Sequence, residues 1–292
     1  VTPGIYDGVL ASDYHADEVL GEFNGPMPPP SLSASTINTL LTMSPAHARA
    51  GHPRLNPNYE RKTEEKFDVG TVCHSLLLEG ESAVEIVDAP DWRTKWAQES
   101  RQVARDHGRI PLLGHHYDSV KGMVAAVTEQ IAQLDVDPLP LTAGKPEQTM
   151  VWEEQGVLCR ARIDWLHDDL AAIDDLKTTS RSANPEAWTR TMFGIGCDVQ
   201  AAFYLRGLQK VTGRSDIQWR WLVVETQPPY ALSVVSPGPA VLELANMKID
   251  AALATWKECL ATDTWPAYPK QVCWAELPAW EEARWLAREE VA

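Results

Sequence analysis

Apolar positions along the chain change their spacing several times, and each spacing implies an element. Ile37, Leu40 and Leu41 fall at i, i+3 and i+4 within residues 36–43, the stripe of an amphipathic helix. Ser33 or Ser35 is placed to cap it, and Ser44-Pro45 ends it. Residues 66–78 repeat the pattern with Phe67, Val69, Val72, Cys73, Leu76 and Leu77, closed by Glu79-Gly80. A charged helix is predicted over 91–108, and a long one over 115–134 with Val120, Met123, Val124, Val127 and Ile131 inward. Strands begin with 147–153, which leads through Gln155-Gly156 into two further strands, 158–166 and 171–177, around His167-Asp168-Asp169-Leu170. Downstream come a short helix over 184–193, capped by Ser182 or Asn184, and a helix over 198–211. A strand at 218–225 pairs with 230–235 beyond Pro228-Pro229, and helices follow over 241–260 and 280–292. Helices first, then βββ, α, ββ and α give an α/β (α+β) fold with a central mixed β-sheet flanked by helices. Residues 1–30, ending in Gly25-Pro-Met-Pro-Pro-Pro30, carry neither period and read as an extended N-terminal segment before a single domain over 31–292.

Composition narrows the class. With 292 residues, 44% apolar content and 12 Trp, the chain can bury a full core and is not a disordered protein. No apolar run approaches the ~18 residues of a membrane span. The acidic N-terminus lacks the basic and apolar regions of a secretion signal. Five cysteines, at 73, 159, 197, 259 and 273, are odd in number and scattered, which disfavours a disulfide framework or structural zinc. Reduced core thiols in a cytoplasmic protein are the expectation. A net charge of −15 argues against a nucleic-acid partner, but its distribution does not. Residues 158–220 carry 9 basic and 8 acidic groups, and 90–110 carry 5 and 3, so the acidity lies mostly elsewhere.

The candidate chemistry sits in the hairpin. If Asp168-Asp169 form a two-residue loop, Leu166 faces Ala171, Asp164 faces Ile173 and Arg162 faces Asp175. Alternation then puts Arg160, Arg162 and Asp164 on one face with Ile173, Asp175 and Lys177, while Asp174 points away. Asp164 and Asp175 become diagonal neighbours, roughly 7–8 Å apart or less, close enough to share a divalent cation with Lys177 beside it. Solvated charges on an exposed strand are the competing explanation. His74, next to the apolar side of its helix, is by the same token either a core histidine or a ligand. Arg101 and Arg105, i and i+4 on the charged helix, either face solvent or contact phosphates. Gln200 and Tyr204 share one face of the helix after the hairpin.

An Asp followed on the next strand by Asp-x-Lys is the signature of the PD-(D/E)xK nucleases, and the chain as a whole resembles the exonuclease VIII (RecE-type) domain of phages and prophages. The resemblance is carried, in order, by Leu32-Ser-Ala-Ser-Thr-Ile, Gly70-Thr-Val-Cys-His74, Arg162-Ile-Asp164, Asp175-Leu-Lys177-Thr-Thr179, Gln200-Ala-Ala-Phe-Tyr204 and Trp265-Pro-Ala-Tyr268. It implies a Mg²⁺-dependent exonuclease that degrades linear double-stranded DNA 5′→3′, leaves 3′ single-stranded tails, assembles as a homo-oligomeric ring (trimer or tetramer) and works with a RecT-like single-strand annealing protein. His74, Asp164, Asp175 and the backbone carbonyl of Leu176 would then hold the metal, with Glu147 an outer ligand. An imidazole ligand suits Mn²⁺ as well. Lys177 would orient water or act as a base, Gln200 and Tyr204 would bond the phosphate or the carboxylates, and Arg160, Arg162, Arg101 and Arg105 would reach flanking DNA. A RecB-like nuclease acting on single strands or ends, and an inactive DNA-binding member of the fold, are the alternatives. The absence of closely spaced C-terminal cysteines counts against the first and the complete motif set against the second.

Overall fold

A computed structural model describes residues 2–19, 28–60, 69–81 and 84–289. In chain order the elements are β1 (Gly4–Tyr6), α1 (Ala11–Ala16), α2 (Ala34–Thr42), α3 (Pro45–Ala50), α4 (Val69–Glu79), β2 (Val84–Val87), α5 (Lys95–Asp106), β3 (Ile110–Leu113) and α6 (Gly114–Ala132). They continue as β4 (Gly144–Glu154), β5 (Val157–His167), β6 (Ala172–Thr179), α7 (Pro185–Gly194), α8 (Cys197–Thr212), β7 (Gln218–Glu225), β8 (Leu232–Val235), α9 (Pro239–Thr262) and α10 (Ala279–Glu289). Among the described residues no helix is long and apolar enough to cross a membrane.

Six strands form one mixed sheet in the order β1-β4-β5-β6-β7-β8, and a parallel pair, β2 and β3, stands apart. β6 and β7 run parallel, all other neighbours in the large sheet antiparallel. A parallel pair needs a crossover, and α7 and α8 supply it. Alternation along β7 sends Trp219, Trp221 and Val223 into a core with Phe203 of α8 and Trp256 of α9. Leu222 and Val224 point to the opposite face, where they meet Val72 and Cys73 of α4 and Met123 and Val127 of α6. Both faces of the central strands are therefore covered, which explains the nearly unbroken apolar run of Gln218–Glu225. Four of the cysteines are buried and Cys273 is exposed, all of them free.

Helix α8 lies close against β4 because Gly207 leaves room. A Cβ there would meet the end of Met150 and, at 2.9 Å, the Trp152 ring. The ring is fully buried and has nowhere to retreat. Gly207→Ala should cost about 1–3 kcal/mol despite the helix propensity gained, measured by urea unfolding. An unchanged midpoint would mean that helix and strand separate freely.

Several expectations are corrected. The N-terminal segment is not a plain connector: Gly4–Tyr6 pairs antiparallel with Met150 and its neighbours on β4, and Ala11–Ala16 is helical. Residues 20–27, which include the start of its proline-rich end, residues 66–68 of the second predicted helix and residues 290–292 lie outside the described residues. A three-residue strand has no readable period; only its partner makes it a strand. The four-residue strands β2 and β3 escape sequence reading for the same reason. Leu41 is 38% exposed rather than inward. The caps resolve to Ser33 for α2 and Asn184 for α7. The hairpin register also moves, since Leu166 pairs with Ile173 instead of Ala171. A shift of two keeps every side chain on its predicted side.

A buried polar network anchors the N-terminal segment. Asp17 accepts from the amide and hydroxyl of Ser31 and pairs with Arg54 and with Arg160 at 2.8 Å. His52, 1% exposed, donates from Nε2 to the Ser31 carbonyl at 3.0 Å and accepts the Arg54 amide on Nδ1. Burial holds the His52 pKa below 6.5 although Asp17 pulls the other way. A depressed folded pKa means that the unfolded chain takes up the proton first. The stabilisation is full above pH 6.5 and is lost as pH falls towards the folded value. His52→Gln should therefore narrow its stability gap to wild type between pH 7.5 and 5.5. A gap that stays constant in thermal unfolding would refute this.

Candidate active site

Three elements bring three donors together. His74 comes from α4, Glu147 from β4 and Asp164 from β5, and their nitrogen and carboxylate oxygens lie within 4.8 Å of one another. Ladder pairs flank the meeting point at Pro146↔Trp165 and Gln148↔Ile163 but skip Glu147, whose backbone is left-handed with φ 54°. Such a φ is uncommon outside glycine and breaks the regular strand where the carboxylate is needed. On the other side, β5 and β6 pair only at Trp165↔Asp174 and Leu166↔Ile173. Beyond that point Asp164 Oδ2 accepts the Leu176 amide at 3.0 Å, a side-chain bond where a ladder rung would otherwise fall. The strands part, and the opening holds the acidic groups.

Asp164 Oδ2 also lies 3.0 Å from His74 Nε2. Burial would raise the Asp164 pKa, but the His74 bond and charge, Lys177 and the Leu176 amide hold it below the usual carboxylate value. For His74, burial favours the neutral ring, yet Asp164 and Glu147 prevail and raise its pKa. Burial raises Glu147 against the pull of Arg162. Asp175, 1% exposed, is pushed up to about 6 by burial and by Asp164, with Lys177 opposing. Its oxygens meet Lys177 Nζ at 2.5 Å and Gln200 Nε2 at 2.8 Å. Burial alone would lower the Lys177 pKa, but Asp175 and Asp164 raise it, so the ammonium form is held. A neutral, basic lysine is not what this arrangement favours.

His74, Glu147, Asp164, Asp175, Lys177 and Gln200 thus gather in one place. Asp174 faces away, clamped by Arg220 at 2.6 Å and His167 at 2.8 Å. Leu176 touches the group through its amide, while its side chain packs in the core. Tyr204 borders the cavity, where its ring packs edge-on against Trp219 at 5.6 Å. Arg160 is corrected outright: it is 6% exposed, tied to Asp17 and Ser31 and stacked on Tyr14, so its guanidinium is spent on the fold. Arg162 does border the site, paired with Glu147 and donating to the Val9 carbonyl at 2.8 Å. Arg105 lines the cavity, whereas Arg101 lies over the Trp92 ring.

The cavity measures about 1540 Å³ and takes in His74, Glu147, Asp164, Gln200 and Tyr204. That exceeds the usual ~300–1,000 Å³ of a small-molecule pocket. Residues 7–12, with Tyr14 and His15, form one side of it, and sequence reading missed them entirely. Nothing in their composition signals a site; only the β1–β4 pairing brings them there.

The fold is shared with a solved structure of low sequence identity. A candidate exonuclease from Eubacterium rectale superposes with a TM-score of 0.58 at 13% identity, covering 87% of this chain and 92% of the other. A phage-related exonuclease from Haemophilus somnus gives 0.29 at 11% identity, over 66% and 95%. No curated protein sequence matches the chain. Residues 33–275 match the family described as PDDEXK-like domain of unknown function (DUF3799). Since that match takes in every strand of the large sheet except β1 and every donor described above, the chain belongs to this PDDEXK-like family.

Proposed function

We propose that the protein is a metal-dependent 5′→3′ exonuclease on linear double-stranded DNA. It would leave 3′ single-stranded tails for recombination by strand annealing. The observation that carries this reading is the His74–Glu147–Asp164 cluster beside the Asp175–Lys177 pair where β5 and β6 part. PDDEXK nucleases generally use divalent metals, and the donor set fits one. Two carboxylates are hard oxygen donors suited to Mg²⁺, and the imidazole makes Mn²⁺ an effective substitute. His74, Glu147 and Asp164 would hold the ion, with Asp175 joining if it exchanges Lys177. A bound cation would offset phosphate charge and make water more acidic.

The remaining work falls to the chain. Lys177, protonated, would set its charge against the phosphate and orient the attacking water. Gln200 keeps Asp175 turned to the site through its 2.8 Å bond. Arg162 holds Glu147 in place, and Arg105 borders the same cavity, where it would meet the DNA backbone. The Leu176 carbonyl would offer the ion an additional oxygen. We place the enzyme in the cytoplasm, as a trimeric or tetrameric ring around its DNA, handing the product to a RecT-like annealing protein.

The test is digestion of linear duplexes blocked at the 5′ or the 3′ end, beside a closed circle, with Mg²⁺ or Mn²⁺. Loss of the strand with the open 5′ end is expected. Equal attack on the circle would sink the exonuclease reading, and consumption from the 3′ end would reverse the polarity. Light scattering that finds a monomer would remove the ring.

A further inference from the structure

Helix α2 forms one wall of the cavity, with Ser33, Ala34, Ser35, Asn38 and Thr39 along it. Its hydroxyls are all used within the chain. Ser33 Oγ lies 3.0 Å from the hydroxyls of both Ser35 and Thr36 and caps the helix. Thr39 donates to the Ser35 carbonyl at 3.0 Å, and Thr42 to the Asn38 carbonyl at 2.7 Å. The side-chain amide of Asn38 differs: it is half-buried, and none of the described residues bonds it. Its place is nevertheless fixed. Gly196, the N-cap of α8, sits at φ 74°, and a Cβ there would come within 2.8 Å of Asn38 Cγ and Oδ1 and 3.1 Å of Nδ2. The amide therefore packs flat on bare backbone that only a glycine provides. Gly196 lines the cavity too, and its carbonyl accepts the Gln200 amide at 3.0 Å. One helical turn, about 5.4 Å, thus separates the backbone under Asn38 from Gln200. Gln200 Nε2 in turn donates to Asp175 Oδ1 at 2.8 Å. An unspent amide stands about one turn from the acidic centre.

We propose that Asn38 is a substrate-binding residue: its amide donates to the backbone phosphate next to the scissile one. This rests on the nuclease reading above. An amide held against Gly196 without a partner keeps its N–H groups ready for a ligand, and its packing spares it the ordering that a free side chain would need. The ligand that the acidic centre calls for carries a phosphate at every nucleotide. With one phosphate at the metal donors, its neighbour along the strand passes the wall where Asn38 stands. Contacts of this kind fix the register of the strand without reading its sequence. That suits an enzyme that degrades whatever sequence comes next. The contact is neutral, so it displaces no counterion and adds nothing to the salt dependence of binding. In that respect it differs from the Arg105 guanidinium in the same cavity.

Asn38→Ala and Asn38→Asp decide the matter, with kcat, KM on a linear duplex, the salt dependence of KM and thermal unfolding measured for each. Asn38→Ala should raise KM about tenfold and leave kcat within about twofold, the mark of a contact made equally before and in the transition state. The slope of log KM against log salt should keep its wild-type value, because the lost group is neutral. Asn38→Asp keeps the shape packed on Gly196 but sets a carboxylate against phosphate. Its KM should rise by about a further tenfold, and that excess should shrink at high salt. Wild-type KM for Asn38→Ala would overturn the proposal. So would an Asn38→Asp enzyme that binds as well as Asn38→Ala or better, since shape rather than donation would then matter. A KM rise that varies with the bases at the cleaved end would make Asn38 a reader of bases and is equally fatal, as is a lowered Tm with an unmoved KM. Should Asn38→Ala fail to fold, Asn38→Asp fills the same space, and a wild-type KM there refutes the contact. A wild-type chain that cleaves no DNA refutes the nuclease reading, whereas an active wild type matched by Asn38→Ala in KM refutes this inference alone.

Discussion

Asp164→Asn should abolish Mn²⁺ binding and lower DNA cleavage by about a thousandfold or more, with only a small loss of stability. Asp164 Oδ2 lies 3.0 Å from both His74 Nε2 and the Leu176 amide, and it shares the donor cluster with Glu147. An asparagine keeps the shape but loses the charge, and its single amide oxygen can take the place of Oδ2, which accepts from both donors. The charge that His74 and Lys177 favour is lost, but the cost stays small because the substitution also relieves repulsion. Asp164 helps raise the pKa of both Glu147 and Asp175, so neutralising it eases two buried carboxylates. Calorimetric titration with Mn²⁺, thermal unfolding and a cleavage assay separate these effects. Undiminished Mn²⁺ affinity in the variant would show that the cluster is not the metal site.

Lys177→Met should cut kcat by about 10²–10³-fold but spare Mn²⁺ binding. Lys177 is held as an ammonium by Asp175, 2.5 Å away, and by Asp164. It stands in no donor cluster, so its loss removes charge stabilisation rather than a ligand. Methionine fills similar space without the charge. Asp175 is released from its ion pair, which makes it freer to join the metal, so affinity should stay level or rise. The informative result is the split between binding and turnover. A variant that lost both equally would place Lys177 in the structure of the site rather than in its chemistry, and one that kept full kcat would remove it from the mechanism.

Much of this site was legible in the order of residue types, because chemistry constrains those more than geometry does. Asp164, Asp175 and Lys177 stand on adjacent strands whose apolar pattern marks them as strands, and a register error of two left their faces unchanged. The helices carrying His74 and Gln200 were equally visible from their stripes. Charge was less informative. Arg160 and Arg162 are both basic residues on one strand, yet the first is buried against Asp17 and the second holds Glu147. Sequence cannot tell a guanidinium kept for DNA from one spent on a carboxylate, because the partner lies 143 residues away in one case and 15 in the other.

The sequence by itself determined the longer helices and strands, since their periods are local. It also determined which face each candidate side chain takes, since alternation is local too. Only the tertiary structure decided which carboxylates meet. Glu147 joins His74 and Asp164 because the β4 backbone turns left-handed at that residue, and Asp175 goes to Lys177 and Gln200 because β5 and β6 part after two pairs. The N-terminal wall is likewise a tertiary result. A strand of three residues gains its shape from the edge it pairs with, and that edge is provided by residues nearly 150 positions further along the chain.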